Sequence, residues 1–382
     1  MKKIIYITNI PTPYRQKRFN ILNKILQKKG FNLEVLYMAS IEPNRSWIVP
    51  ENTFNYNYKI YCGIHPQIGG IFAHFNPGLL IRLLKNDYEC AVIGGMASPT
   101  HWLSPYFINS NKLKILSIES NMYSVNRKSG VAAWVKKNLL SKADVFQVTG
   151  NPQIDYIKYF TEKINQPIIK LPNLIDEDVF VDKVSDLKLK RESLRKSLNI
   201  GENVQAWIIP ARLTEDKGIL EFLSALVNIK KKKSYKIFII GDGHLKIDIE
   251  NFVKKYDLPV KLTGFIQQNK IIEYYAAADL FVLPSFQDPS PLTPIEAIAS
   301  GLPILMSSRI GNIEDVLDLN GWSFDPQSNI DDRENLINLV INNSLEDLQS
   351  MGKISKKIFK EKFDSKKNID KYVNQILTLL NE

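Results

Sequence analysis

The chain has 382 residues, and this length, with 44% hydrophobic and 24% charged residues, excludes a disordered protein or a coiled coil and allows two or three domains. Its two cysteines, Cys62 and Cys90, and its four histidines form no disulfide framework or metal-binding motif, which is typical of a reducing compartment. The net charge of +10 is concentrated in residues 1–150, which carry 19 basic and 7 acidic side chains.

The first part of the chain alternates short apolar runs with helical periodicities. Strands are predicted at residues 3–9, 31–38, 90–93, 113–118 and 145–148. Helices are predicted at residues 16–29, 77–86, 131–142 and 152–161. This alternation is typical of βαβ units, which build a parallel sheet with helices on both faces.

A charged interval, residues 177–203, is expected to be a linker that runs into a helix, and the alternation starts again beyond it. Strands are predicted at residues 205–210, 236–240, 260–262, 280–284 and 304–306, and helices at 217–230, 245–256, 269–277 and 292–300. Residues 329–380 are expected to be helical throughout. The pattern predicts two doubly wound α/β domains, whose ligands bind beyond the carboxyl ends of the strands, in the cleft between the two sheets.

The segment P-A-R-L-T-E-D-K-G, residues 210–218, follows the first strand of the second domain. It carries Arg212 and Lys217 across a strand-to-helix turn that Gly218 eases. Two cations at one strand end can hold a diphosphate, since arginine offers a planar fork and lysine a compact charge. The alternative is a solvated loop in which Asp216 caps the following helix.

Two glycine turns follow later strands of the second domain. Gly241-Asp242-Gly243 lets the backbone come close to a ligand or to another chain, although a plain turn explains the same pattern. Gly264, within L-T-G-F-I, lets the backbone lie along a flat base. Neither turn by itself is specific evidence for a ligand-binding site.

The segment F-Q-D-P-S-P-L-T-P-I-E-A-I-A-S-G-L-P, residues 286–303, carries two carboxylates, Asp288 and Glu296. Ser290 is expected to cap, and Pro291 to open, a helix that contains Glu296. Free N–H groups at a helix start bind anions, so one stretch can bind phosphate by its amides and hydroxyls by its carboxylates. A surface carboxylate is the alternative for Glu296, and its apolar neighbours argue against it.

These motifs, with P-N-L-I-D at residues 172–176 and Y-Y-A-A-A-D-L-F-V-L-P-S before the carboxylates, resemble the family-four retaining glycosyltransferases, or glycosyl transferases group 1. The resemblance is strong over residues 204–317 and weaker upstream. It implies the α/β GT-B fold, with two facing Rossmann-like domains, a cleft between them and C-terminal helices that cross back. The implied domains are an acceptor-binding domain at 1–176, a nucleotide-sugar-binding domain at 177–364 and a C-terminal helix at 365–382 that packs on the first domain.

The resemblance also implies roles for residues of the second domain. Arg212 and Lys217 would hold the diphosphate of a UDP-, GDP- or similar sugar. Asp288 would contact hydroxyls of the donor sugar, and Glu296 those of the ribose. Further donor contacts would come from Gly241, Asp242, Gly264, Phe265, Ile266, Ser290, Pro291, Leu292 and Thr293. Transfer would retain the anomeric configuration through an oxocarbenium-like state, without a cofactor or an essential metal.

The sequence departs from the family pattern in four places. Asp288 is one methylene shorter than the usual glutamate, and Pro291 replaces a glycine. The first strand ends in I-P-T-P-Y-R rather than a glycine loop, so Pro13, Tyr14 and Arg15 are acceptor-side candidates, the alternative being a rigid turn. Where many members carry histidine, this chain has Glu119, which could hydrogen-bond a sugar hydroxyl or stabilise positive charge at the anomeric carbon.

Gly95 is a further acceptor-side candidate, because Gly94-Gly95 follows the third predicted strand. His65, His74, His101 and His244 are each expected to lie at the surface or to be hydrogen-bonded within the fold.

The basic first domain favours an anionic partner. Residues 131–140 predict an amphipathic helix with Trp134 on it and lysines after it, which can lie on anionic lipid; a core-facing helix is the alternative. No apolar run of about 20 residues is present, and the apolar start is too short for a signal peptide. We therefore expect a cytoplasmic protein, peripheral on the inner face of the cell membrane.

The favoured function is transfer of a sugar to a hydroxyl of a glycan or lipid-linked acceptor in surface polysaccharide synthesis: capsule, O-antigen or exopolysaccharide. An alternative is a nucleotide-sugar epimerase of the same fold, which would need no acceptor. A remote alternative is a non-enzymatic basic binding protein, but no nucleic-acid-binding module is recognisable, so we expect no nucleic acid partner.

Overall fold

The computed structural model describes residues 1–42, 49–68, 71–122, 129–161, 163–229 and 234–381. The chain divides into two compact units, described here separately. The first unit comprises Met1–Leu174 and Ser365–Glu382, and the second comprises Ile175–Asp364. The last helix therefore belongs to the unit in which the chain begins.

The first unit is built on a parallel sheet of seven strands. Its strands are β1 Lys2–Thr8, β2 Phe31–Tyr37, β3 Asn57–Ile60, β6 Cys90–Ile93, β7 Leu113–Ile118, β8 Val145–Val148 and β9 Ile168–Lys170; β4 Gln67–Ile68 and β5 Ile71–Phe72 form a separate hairpin. The order in the sheet is β3-β2-β1-β6-β7-β8-β9. The chain winds outward in both directions from β1 and β6, which makes their carboxyl ends the topological switch point.

Helices cover both faces of the first sheet. They are α1 Pro13–Lys28, α2 Pro77–Leu83, α3 Pro99–Phe107, α4 Gly130–Ser141 and α5 Asn151–Thr161, together with the helix that we number α15, Ser365–Asn381. Apolar side chains of α1 and α15 pack in the core on one face, and those of α2, α4 and α5 pack on the other. The inner strands are buried on both faces, as expected for a parallel sheet, whereas the edge strand β3 is partly exposed.

The second unit repeats this architecture with six parallel strands. They are β10 Gln205–Pro210, β11 Tyr235–Ile240, β12 Val260–Gly264, β13 Leu280–Leu283, β14 Ile304–Ser307 and β15 Gly321–Phe324, in the order β12-β11-β10-β13-β14-β15. Its helices are α6 Val184–Lys188, α7 Arg191–Ser197, α8 Ile219–Ser224, α9 Lys246–Lys255, α10 Gln268–Ala277, α11 Thr293–Ala299, α12 Ile313–Val316, α13 Ile330–Ile341 and α14 Leu345–Lys362. The switch point lies between β10 and β13.

The predicted fold class is confirmed: two doubly wound parallel sheets, with a C-terminal helix that packs on the first unit. Residues 177–203 contain the predicted helix, here α6 and α7, but the predicted linker before it is wrong, because Phe180 and Val184 are buried in the core of the second unit. The tail is helical but consists of α13, α14 and α15 rather than one continuous helix. The final residue of the helix predicted at 217–230 lies outside the described ranges.

Among the helices of the described ranges, none has both the length and the apolarity needed to cross a bilayer.

Candidate active site

The second unit brings Lys217 and Asp288 together at its switch point. Lys217 ends a 3₁₀ turn, Glu215–Lys217, after β10, and Asp288 lies in the loop after the neighbouring strand β13. The ammonium of Lys217 donates to Oδ2 of Asp288 at 2.8 Å. Residues 71 positions apart in sequence therefore form an ion pair at the carboxyl edge of the sheet.

Backbone contacts hold the loops after β10 and β13 against each other. The amide of Phe286 donates to the carbonyl oxygen of Asp216 at 2.9 Å. Gly218, in the left-handed region at φ 61°, lies so close to Pro284 that a Cβ there would be 2.5 Å from the Pro284 carbonyl oxygen. Only glycine allows this approach, which holds Lys217 against the second loop.

Lys217 is also bound by Asp216, whose Oδ2 lies 3.2 Å from its ammonium. Asp216 does not cap a helix, contrary to the alternative considered for it, because its carboxylate accepts from Thr214 and pairs with Lys217. Burial raises the pKa of Asp216, but the hydrogen bond from Thr214 and the charge of Lys217 outweigh burial and hold that pKa below its usual range. Asp216 therefore stays ionised and helps to fix the 8% exposed Lys217.

Arg212 lies on the same loop but is exposed. Among the described residues no hydrogen bond or ion pair involves its guanidinium, although its charge contributes to the lowered pKa of Asp216. The structure thus places two cations after β10, one of them bound to carboxylates and the other facing solvent.

Glu296 lies in the first turn of α11 and is 3% exposed. Its Oε2 accepts from the hydroxyl of Tyr275 on α10 at 2.9 Å. The helix start differs from the prediction: α11 begins at Thr293 after Leu292, with Pro294 in its first turn and no side-chain cap. The prediction for Ser290 and Pro291 is wrong in this respect, since they lie in the preceding loop, where the Pro291 carbonyl accepts from Asn312 at 2.9 Å.

The glycine turn after β11 packs against the Arg212 loop. A Cβ at Gly241 would lie 1.9 Å from the carbonyl oxygen of Ala211, and one at Gly243 would lie 2.3 Å from that of Leu213. The Leu213 amide donates to the carbonyl oxygen of Asp242 at 3.0 Å. These glycines thus bring the turn close to backbone of the same unit, which is a structural reason for them.

The turn after β12 has open space beside it. Gly264 is left-handed at φ 73°, and no heavy atom lies within 4 Å of the Cβ position there. Its carbonyl accepts from the Gly241 amide at 3.0 Å, which joins the two turns. Phe265 is exposed, whereas Ile266 packs against the core.

The first unit brings Arg15 and Glu119 together at its own switch-point edge. Arg15 lies in the first turn of α1, which begins at Pro13 after the N-cap Thr12. Its Nη1 donates to Oγ1 of Thr8 at 2.8 Å, and its Nη2 lies 3.3 Å from Oε1 of Glu119. Burial lowers the pKa of Arg15, but the charge of Glu119 outweighs burial and raises it. Pro13, Tyr14 and Arg15 are therefore helical rather than part of a rigid turn.

His101 also lies at this edge, although no role in the site was predicted for it. It lies on α3, 1% exposed, and its ring faces Gly95, where a Cβ would be 3.2 Å from its Cε1. In the described part of the chain neither ring nitrogen has a hydrogen-bond partner. Burial and the charges of Arg15 and His74 lower its pKa to about 3. The expectation that it is exposed or hydrogen-bonded is wrong, because the ring is buried and its nitrogens form no hydrogen bond with the described residues.

Solved structures share the architecture of this chain. HepE of Anabaena, solved in complex with UDP and glucose, has a TM-score of 0.72 at 16% identity. The similarity covers 99% of this chain and 100% of the HepE chain. Sucrose-phosphate synthase of Thermosynechococcus elongatus has a TM-score of 0.69 at 18% identity, over 100% of this chain and 99% of its own. The fold is GT-B.

A stretch of the second unit is similar to a known family. Residues 190–358 match the family model described as Glycosyl transferases group 1.

Curated relatives match shorter stretches. Amylovoran biosynthesis glycosyltransferase AmsK of Erwinia amylovora is 34% identical over 148 residues, 36% of this chain and 34% of the relative. Sulfoquinovosyl transferase SQD2 of Arabidopsis thaliana is 30% identical over 130 residues, 34% of this chain and 24% of the relative. The chain thus spans about a third or less of the length of these relatives.

Proposed function

We propose that the protein is a retaining glycosyltransferase that moves a sugar from a nucleotide-diphosphate-sugar donor to a hydroxyl of a glycan or lipid-linked acceptor in surface polysaccharide synthesis. The observation that carries the proposal is the Lys217–Asp288 ion pair of 2.8 Å at the switch point of the second unit. It joins a cation suited to phosphate and a carboxylate suited to sugar hydroxyls in one place.

Lys217 supplies fixed positive charge. An ammonium has three N–H donors, and two are directed to Asp288 and Asp216 at 2.8 and 3.2 Å. The third is available for a diphosphate oxygen, and the exposed Arg212 adds a second cation from the same loop. Negative charge grows on the diphosphate as it leaves, and preorganised cations stabilise that charge. Transfer on this account needs no essential metal, and we expect EDTA to leave the rate unchanged.

The two carboxylates have different environments, which suits different tasks. Asp288 is partly exposed beside Lys217, so it can exchange part of its contact with the ammonium for a hydroxyl of the donor sugar. Glu296 is buried and oriented by Tyr275, which suits it to the ribose hydroxyls. The open space beside Gly264 supports a base in that position.

The comparisons support this choice of substrates. HepE is solved in complex with UDP-glucose, which favours a uridine diphosphate sugar as donor. AmsK is named for amylovoran biosynthesis, and WaaG, with a TM-score of 0.68 at 14% identity, for lipopolysaccharide biosynthesis. The Arg15–Glu119 pair offers the acceptor both a cation and a carboxylate at the edge of the first unit.

The test is donor turnover with a panel of nucleotide sugars and lipid-linked acceptors. We expect Lys217→Met and Glu296→Gln each to lower the rate by about 10²–10³-fold, whereas Lys261→Met, an exposed lysine of β12, leaves it unchanged. Unchanged turnover in both site variants would overturn the site. A product with the mass of the donor and no released nucleotide would indicate the epimerase instead.

We also propose that the first unit contacts an anionic membrane. The α3–α4 patch, defined here as Leu103, Tyr106, Val131 and Trp134, is exposed, with Val131 at 79% and Trp134 at 66%. The ammonium of Lys142 lies 5.5 Å from the Tyr106 ring, so basic charge borders the patch. Apolar area bordered by lysines favours anionic lipid.

Co-sedimentation with phosphatidylglycerol vesicles tests the membrane proposal. We expect Trp134→Ala to weaken binding, and Tyr159→Ala, an exposed aromatic on α5, to leave it unchanged. Equal binding of both variants, or equal binding to phosphatidylcholine vesicles, would contradict it.

A further inference from the structure

The second unit contains a cavity at the edge opposite its candidate active site. The cavity has a volume of about 170 Å³ and is lined by Lys188, Arg191, Asp279, Gly301, Leu302 and Gln349, among others. Asp279 directly precedes β13 and Leu302 lies two residues before β14, so the cavity lies at the amino ends of these strands. The residues proposed for the donor lie at the carboxyl ends.

Two cations in this cavity have unused hydrogen-bonding capacity. Lys188 donates to the carbonyl oxygen of Ser300 at 2.7 Å, which leaves two of the three ammonium donors. Arg191 makes all its bonds through Nη2, to Asp279 and to two backbone carbonyls. Within the described ranges no hydrogen bond uses its Nη1 or Nε.

The charge of the cavity is not balanced. Asp279 is the one carboxylate among the described residues that line it. Both of its oxygens are already occupied, Oδ1 by Arg191 and Oδ2 by Arg195 and the Ala206 amide. One carboxylate thus serves two arginines, and the described lining offers no second carboxylate to balance Lys188.

A third cation acts on Lys188 from the neighbouring helix. The stem of Lys356 on α14 lies over Gly301, where a Cβ would be 2.7 Å from its Cε. Burial, together with the charges of Lys356 and Arg191, lowers the pKa of Lys188 to about 8 against the opposing charge of Asp279. The lysine is therefore held in a positive environment beside an open space.

We propose that this cavity binds a small tetrahedral oxyanion, phosphate or the phosphate of a monoester, between Lys188 and Arg191. A planar guanidinium and a compact ammonium together suit such an ion. The volume is close to that of an engineered cavity of about 150 Å³ that holds benzene, which suits one oxyanion and is too small for a nucleotide sugar. The proposal does not depend on the donor site.

The test is calorimetric titration of the full chain with sulfate, a probe whose charge stays constant from pH 7 to 9. Bound anion favours the charged form of Lys188, so we expect affinity to fall about tenfold over this range. Lys188→Met should abolish the binding, while Lys188→Arg should keep it and remove the pH dependence. Lys357→Met, an exposed neighbour of Lys356 on α14, is the matched control and should resemble the native chain.

Two measurements separate this site from the donor site. Lys217→Met should retain the pH-dependent sulfate binding, whatever its effect on nucleotide sugars. Titrations with inorganic phosphate and with glycerol 3-phosphate then compare the two ligands, and the one that binds more tightly shows whether free phosphate or a phosphate monoester is preferred. Native-like sulfate binding by folded Lys188→Met, or loss of binding in Lys217→Met alone, would overturn the proposal.

Discussion

His101 has an environment that predicts an acid-sensitive fold. Its pKa of about 3 lies well below the ordinary value of 6.5, because the ring is buried near Arg15 and His74 without a hydrogen-bond partner among the described residues. The unfolded chain binds a proton below pH 6.5, and the folded chain does not until near pH 3. His101 therefore makes its full contribution to the free energy of unfolding above pH 6.5. Between pH 6.5 and 3 this contribution falls by about 1.4 kcal/mol for each unit of pH.

Urea unfolding at pH 7.0, 6.0 and 5.0 measures this loss. We expect His101→Leu to show a shallower decline between these values than the native chain, whatever its stability at pH 7. His244→Gln is the control, since His244 is exposed and paired with Glu215. Equal slopes in native chain and His101→Leu would show that the buried imidazole is not the cause.

At the same scale, the sequence predicts which strand ends carry polar side chains but not how those side chains pair. Parallel strands share one carboxyl edge, so Lys217 and Asp288 are expected on that edge from the strand order alone. The contact of 2.8 Å between them depends on Gly218 and on the backbone bond from Phe286 to Asp216, which no local pattern records. Arg15 and Glu119 are 104 positions apart, and no local sequence pattern predicts their contact either.

At the scale of elements, burial decides which predictions hold. The strands Cys90–Ile93, Leu113–Ile118 and Val145–Val148 are predicted to the residue, because they are mostly apolar and buried along most of their length. Asn57–Ile60 and Gly321–Phe324 are missed, since each of these edge strands has only four residues and is partly exposed. Residues 177–203 look like a linker because their charges dominate the composition, although Phe180 and Val184 are buried among them.

One carboxylate holds the segment of residues 177–203 against the sheet. Asp279, before β13, accepts from Arg195 at 2.7 Å and from Arg191 on the same helix, α7. The side chains of Asp279 and Arg195 are 2% and 8% exposed. Removing one partner of a buried pair leaves an uncompensated charge, so we expect Asp279→Ala to lower the free energy of unfolding by about 3–5 kcal/mol.

Thermal and urea unfolding of Asp279→Ala measure this cost against Asp155→Ala. The Asp155–Lys158 pair is exposed, at 70% and 61%, so its loss should change stability by less than about 1 kcal/mol. A similar small loss in both variants would mean that α7 is held mainly by its apolar contacts.

At the scale of the whole molecule, the two units are not consecutive stretches of chain. The chain leaves the first unit at residue 174, builds the second, and returns at residue 365 to complete the first. On α15, Ile369, Tyr372, Val373 and Ile376 are buried in the first unit. The Tyr372 hydroxyl donates to Oε1 of Gln147 on β8 at 2.6 Å. The first unit therefore lacks part of its core until the end of the chain is added.

A chain that ends at residue 364 should be destabilised in the first unit and not in the second. Each of the four buried side chains of α15 contributes about 1.5–3 kcal/mol when fully buried, which is comparable with the total stability of a domain. Hydrogen exchange resolves the two units: we expect amides of β1 and β8 to lose protection, and those of β10 and β13 to keep it. Tyr372→Phe, which removes only the hydroxyl, should lower protection in the first unit by a smaller amount, because it leaves the apolar contacts and unpairs Oε1 of Gln147. Equal loss of protection in both units after truncation would mean that α15 supports the whole chain rather than the first unit alone.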